Sequence, residues 1–357
     1  MIDFISPLEL WGTYIFRTML IGTTLIGVFS GVAGCLLYLR RQSLVSDVIG
    51  HSSILGVVAA FTVATLLGTD GRSMVVLVLG ASAAAMCAVV LTNIIVAHSK
   101  VKPDAAMAIC LSLFYGGGMV CLRLLTHSHL PNRGGIDSYM FGNAANVRAG
   151  DLVTITVFGL LTVAVILAFF KEIKLVTFDP VTAQLQGFSP RVLTPLMLVL
   201  VTIAIVIGIK GVGLILMVAF AIMPAAAARQ WTHRMSSMMV LAGIFGGVAG
   251  AAGAYLSVCL GKVPTGPVVV IHLFVIFALS LLAAPRRSIV VVALRQRRLR
   301  EDLVARARAA TADPVTGTVT ATAAVQKSAT TPAPAAPAGV AAPAGVAAPA
   351  GSERSER

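Results

Sequence analysis

Apolar runs recur along this chain at 19–39, 52–67, 74–97, 105–125, 152–170, 192–209, 211–228, 236–260 and 266–284, with charged residues gathered between them. Most of these runs reach the roughly 20 residues that a helix needs to cross the hydrocarbon core of a bilayer. Lipid offers no partner for a backbone amide, so a segment of this kind must be helical. The reading is therefore an all-α, polytopic membrane helical bundle of 8–10 transmembrane helices. Composition agrees: 57% of the 357 residues are hydrophobic and only 11% are charged, against roughly 25% charged in a soluble domain.

The net charge of +13 is spread over short segments. It forms no single stripe, which argues against a nucleic-acid partner. Arg40–Arg41, Lys100–Lys102, Lys171–Lys174, Arg229–Arg234 and Arg286–Arg287 follow alternate spans. Basic loops stay on the cytoplasmic side. Nine spans then alternate from an outer N-terminus to an inner C-terminus, with 69–72, 126–151 and 262–265 facing outward.

Four regions follow from this layout. Residues 1–18, with Trp11, Tyr14 and Phe16, read as an interfacial segment, and 19–285 as the membrane domain. Residues 286–310 read as a basic cytoplasmic helix. Residues 311–357 are rich in Ala and Pro and repeat the hexad GVAAPA, which predicts disorder. The first apolar run leads to a double arginine without a small-residue cleavage site, so it reads as a retained span. Gly27/Gly31, Gly243/Gly247 and Gly246/Gly250 are GxxxG steps that suit close helix packing. Cys35, Cys87, Cys110, Cys121 and Cys259 all lie in apolar runs and read as small buried hydrophobes.

Three segments carry chemistry. In Ser46–Ser53, at the entrance to the second span, Asp47 and His51 are four residues apart and share a helix face. A carboxylate and an imidazole form part of a shell for Mn²⁺, Zn²⁺ or Fe²⁺. Two ligands are too few, so others must come from elsewhere in the fold or from water. Ionisable groups at membrane depth are costly, which favours a functional reading over a helix cap. The second segment runs from Lys171 to Pro190. Asp179 suits the N-cap of a short helix, Pro180 its first position and Gly187 its stop. The third is Gly211–Ala228, in which Pro224, after Met223, removes a backbone donor and is expected to kink or break the helix, with a possible part in gating.

The remaining histidines are weaker candidates. His272 lies within the last span as a lesser metal candidate, and His127 and His129 could capture a cation on the outer side. His98 and His233 add to basic cytoplasmic segments, and Asp104 places a negative charge at a helix N-terminus. The chain has no GxxxxGK[ST], HExxH or GxSxG motif. It has no P-loop of its own, and nothing marks it as an enzyme.

Taken in order, these pieces resemble the permease subunits of bacterial zinc, manganese and iron ABC importers. The resemblance rests on Leu39-Arg40-Arg41-Gln42-Ser43-Leu44 with Asp47 and His51, then Phe178-Asp179-Pro180 with Ala183 and Gly187. It continues through the Gly213–Ala228 run ending Pro224-Ala225-Ala226, and includes Tyr139-Met140-Phe141-Gly142-Asn143 and Pro264-Thr265-Gly266-Pro267. It covers roughly residues 15–287, and the Ala/Pro tail is not part of the pattern.

The resemblance implies a type II ABC importer-like permease in a bacterial inner membrane, with zinc, manganese or iron as substrate and no permanently bound cofactor. It implies a second permease subunit, identical or a paralogue, and a metal-binding solute receptor outside. A cytoplasmic ATPase dimer would hydrolyse the ATP and dock on Phe178, Asp179, Pro180, Ala183, Gln184 and Gly187. Asp47 and His51 would be the cation-coordinating pair. The competing reading is a secondary carrier that needs no ATPase. Such carriers place several ionisable residues within their spans, whereas here the span interiors hold almost none.

Overall fold

A computed structural model describes residues 12–284, apart from 41, 70, 72, 128–143, 145–146 and 262, together with 299–305. The chain divides into two units, 1–293 and 294–357. In the second, residues 299–305 are helical with Leu299, Leu303 and Val304 exposed. His129, Tyr139–Asn143 and the Ala/Pro tail lie outside the described residues.

Among the described residues the first unit contains helices and no strand. The helices are α1 (Tyr14–Leu39), α2 (Ser43–Leu66), α3 (Met74–His98), α4 (Pro103–His127), α5 (Ala149–Ala168), α6 (Phe170–Phe178), α7 (Pro180–Leu185), α8 (Pro190–Val212), α9 (Leu214–Trp231), α10 (Met235–Cys259) and α11 (Thr265–Ala283). Eight are long and apolar enough to cross a membrane, namely α1 to α5, α8, α10 and α11. With 18 residues, α9 is shorter and spans about 27 Å. The protein is a multi-pass membrane protein.

Two helices begin earlier than the apolar runs suggest. Helix α1 starts at Tyr14, so 14–18 are helical, and Phe16 is buried. Helix α2 starts at Ser43 and not near residue 52, which makes the second span 24 residues long and not short. Its polar start can enter the membrane because the hydroxyls bond to their own helix. Ser46 Oγ donates to the Ser43 carbonyl and Ser53 Oγ to that of Ile49, both at 2.6 Å. Asp47 and His51 therefore lie about one and two turns inside α2, not at its mouth.

The core is built around α1, which packs against α10, α9, α8 and α5. Glycines allow this. A Cβ on Gly27 would strike the backbone of Gly246, one on Gly31 that of Ala242, and one on Gly250 that of Thr23. Two of the GxxxG steps thus face one another across the α1–α10 contact, where lipid supplies no competing drive for association. The Thr23 hydroxyl adds an interhelical bond, donating to the Gly250 carbonyl at 3.1 Å. A second dense group is α2, α3 and α4, where Gly56 meets the backbone of Gly80 and Gly118 approaches Leu55.

The discontinuity lies at Gly213 and not at Pro224. Helix α9 runs unbroken through Pro224. Between α8 and α9 stands the single residue Gly213, with φ 95° and ψ 159°, a conformation that glycine reaches without a Cβ penalty.

Candidate functional site

Helix α2 forms the floor of the candidate site. At Gly50 it is close enough to α9 that a Cβ would lie 3.8 Å from Val218 and 3.9 Å from the Leu214 carbonyl. At Leu55 it meets α4, where a Cβ on Gly118 would lie 2.8 Å from the Leu55 nitrogen. With 100° between successive residues, Asp47 and His51 fall between Gly50 and Leu55 on the α2 surface. Helices α4 and α9 each pack on α2 but hardly on one another. The two ionisable residues therefore sit in a seam between α4 and α9, each half-buried.

His51 behaves differently from the other helical histidines. His98, His127 and His272 each donate Nδ1–H to the carbonyl four residues earlier, on Ile94, Arg123 and Val268, at 3.1, 2.9 and 2.8 Å. The Nδ1 of His51 is buried and has no hydrogen-bond partner. The ring instead meets Tyr115 of α4, with centroids 5.0 Å apart and planes at 88°. A buried imidazole nitrogen left without a partner costs free energy, and one carboxylate lies a helical turn away.

Among the described residues no three His, Cys, Asp or Glu side chains come together. The pair therefore offers one oxygen-bearing and one nitrogen-bearing ligand, and His272 does not join it. Met223 is half-buried and Pro224 buried in α9, which also packs on α1 at Gly34.

The segment from Lys171 to Pro190 is organised as its residue types dictate. Helix α6 buries Ile173 and Val176. Asp179 caps α7: the Thr182 amide donates to Oδ1 at 2.9 Å and the Thr182 hydroxyl to Oδ2 at 2.6 Å. These bonds, the hydroxyl's above all, hold the exposed Asp179 carboxyl below its usual pKa. Pro180 occupies the first turn. Ala183 is fully buried, and its carbonyl accepts from the Phe188 amide at 2.9 Å. Gly187, with φ 84°, turns the chain toward α8. Phe178, Val181 and Leu185 are 55%, 67% and 83% exposed. Gln184 and Gly187 help to line an adjoining recess of about 310 Å³ with Phe188 and Arg191.

The sequence reading missed two contacts. Tyr115 is one. The other is made by Arg40, at the α1–α2 corner, which donates through its guanidinium to Thr194 Oγ1 of α8 at 3.2 Å. No local pattern signals either, because each joins distant parts of the chain.

The family model of the ABC 3 transport family matches residues 13–284. The chain belongs to this family. Among ABC 3 relatives, the manganese transport system membrane protein MntC of Bacillus subtilis is 38% identical over 282 residues, 79% of this chain and 64% of that protein. The chain thus matches just under two thirds of that relative's length. The zinc transport system membrane protein TroC of Treponema pallidum is 34% identical over 82% of this chain and 96% of its own length. In three dimensions the ABC 3 chain resembles PsaBC from Streptococcus pneumoniae, solved in complex with Fab, with a TM-score of 0.69 and 27% identity. That likeness covers 78% of this chain and 95% of the other.

Proposed function

We propose that this chain is the membrane-spanning permease subunit of an ATP-binding cassette importer that carries a divalent transition-metal ion into the cytoplasm. One observation carries the reading: a buried, unpartnered imidazole nitrogen on His51, one helical turn from the Asp47 carboxylate, in a seam between two helices. Polar groups at membrane depth are retained where they handle a substrate. The names of the relatives favour manganese and zinc. Iron is supported only by the ligand chemistry, since a mixed nitrogen and oxygen shell accepts it too.

The chain's own part is to hold the two ligands, exclude lipid from them and let the seam open to one side at a time. A tetrahedral site takes four ligands. A second permease subunit related by a two-fold axis would bring a second carboxylate–imidazole pair, and water is the other source. Energy would come from a separate ATPase dimer docked on Phe178, Asp179, Pro180, Ala183, Gln184 and Gly187. A receptor outside would deliver the ion, and the Met223–Pro224 stretch of α9 would take part in gating.

Uptake of radioactive zinc and manganese by cells carrying the whole transporter tests the site. Asp47→Ala and His51→Ala should each abolish most uptake while the protein still inserts. Normal uptake in both would remove the site. Cation movement through vesicles holding the permease alone would favour the secondary carrier instead.

A further inference from the structure

The His51 ring is held from outside its own helix. A helical histidine ordinarily rests Nδ1 on the carbonyl one turn back, as His98, His127 and His272 do. For His51 that carbonyl belongs to Asp47, and the bond is not made. What meets the imidazole is Tyr115, with the two rings at 88°. The edge-to-face arrangement sets the electropositive rim of one ring against the negative face of the other, so it favours one orientation, where a merely greasy contact would favour none. At Gly118, one turn beyond Tyr115, α4 lies so close to α2 that a Cβ there would come within 2.8 Å of the Leu55 nitrogen. The depth at which Tyr115 stands over His51 is thus fixed by backbone contact between the two helices.

We infer that Tyr115 is the positioning residue of the cation site: it keeps the His51 imidazole off its own helix, so that Nδ1 stays open to a divalent ion beside the Asp47 carboxylate. The inference rests on the metal-permease reading above. It adds that the position of α4 governs how well the site binds, because the ring that orients the ligand belongs to α4 and the ligand to α2.

The test uses the complete transporter in vesicles, with Mn²⁺ as the probe and Tyr115→Phe and Tyr115→Leu as variants. The Phe variant keeps the ring and should keep the wild-type KM for Mn²⁺. The Leu variant keeps bulk without a ring and should raise KM about tenfold, with the maximal rate and the thermal unfolding midpoint little changed. If Leu serves as well as Phe, bulk alone suffices and the inference falls. It falls equally if Leu lowers the maximal rate and the unfolding midpoint but leaves KM alone, since that is the mark of a packing residue. Asp47→Ala, run in parallel, separates the two levels. If it is inactive while Tyr115→Leu is normal, only the role of Tyr115 is removed; if it transports normally, the metal site and its positioning residue are removed together.

Discussion

The seam on α2 and the segment from α6 to α7 break opposite rules. In the seam, two ionisable groups lie within a helix long and apolar enough to cross a membrane, and the Nδ1 of His51 lacks a partner. On the α6–α7 segment, large apolar side chains face outward, Leu185 most of all. Each violation is costly in its own solvent. A polar group in hydrocarbon loses its hydrogen bonds to water, and an apolar patch in water orders solvent around itself. The two violations match the two partners proposed above, a cation for the first and a protein surface for the second.

The comparison can be broken most severely at the seam. Asp47→Ala or His51→Ala removes one of the two side chains that the chain contributes to the proposed site and is expected to lower metal uptake more than about a hundredfold, since even outer-shell partners cost ten- to a hundredfold. Insertion and ATPase binding should survive, as co-purification would show. The α6–α7 segment should show the reverse pattern. Leu185→Asp, Asp179→Lys or Gly187→Pro is expected to weaken ATPase association by about tenfold or more, read by co-purification and by transport-linked ATP hydrolysis. Metal binding to the isolated permease should persist. Proline cannot adopt the positive φ of Gly187, so that variant also reshapes the turn.

Arg40 tests whether the two regions are independent. Its bond to Thr194 joins the corner that starts α2 to the first turns of α8, the helix that follows α7. Arg40→Ala should cost about 1–3 kcal/mol of stability, measured as a lower unfolding midpoint of the purified protein. Thr194→Val should reproduce part of that loss. The smallest effect is expected at Asp179. Its folded carboxyl lies below the usual value, so its stabilisation is complete above the unfolded pKa of about 3.9 and disappears as pH falls through the folded one. Amide exchange at Thr182 should quicken over that acidic window in the wild type. In Asp179→Asn it should show no such step.

Periodic and compositional features were legible in the sequence. The long helices follow from apolar runs, and Asp179, Pro180 and Gly187 each announce their place in α7 because capping is a local matter. The Asp47–His51 face follows from helical spacing alone. The start of α2 did not, since Ser46 and Ser53 look like loop residues until their hydroxyls are seen to bond within the helix. The break at Gly213 was masked by Pro224, the residue with the stronger local reputation. Tyr115 was invisible for a different reason. Nothing near it in the chain distinguishes a tyrosine that faces His51 from one that faces lipid, and only the α2–α4 contact decides between them.

The glycine contacts have a mechanical consequence. They weld α1 to α10 and α2 to α3 through backbone touching backbone, which leaves little room for sliding within either block. Asp47 and His51 sit where the α2 block borders α9, along a joint without such welds at its centre. A shift of one block against the other would alter the space around Asp47 and His51 while each block kept its shape, as the jaws of a clamp move without bending.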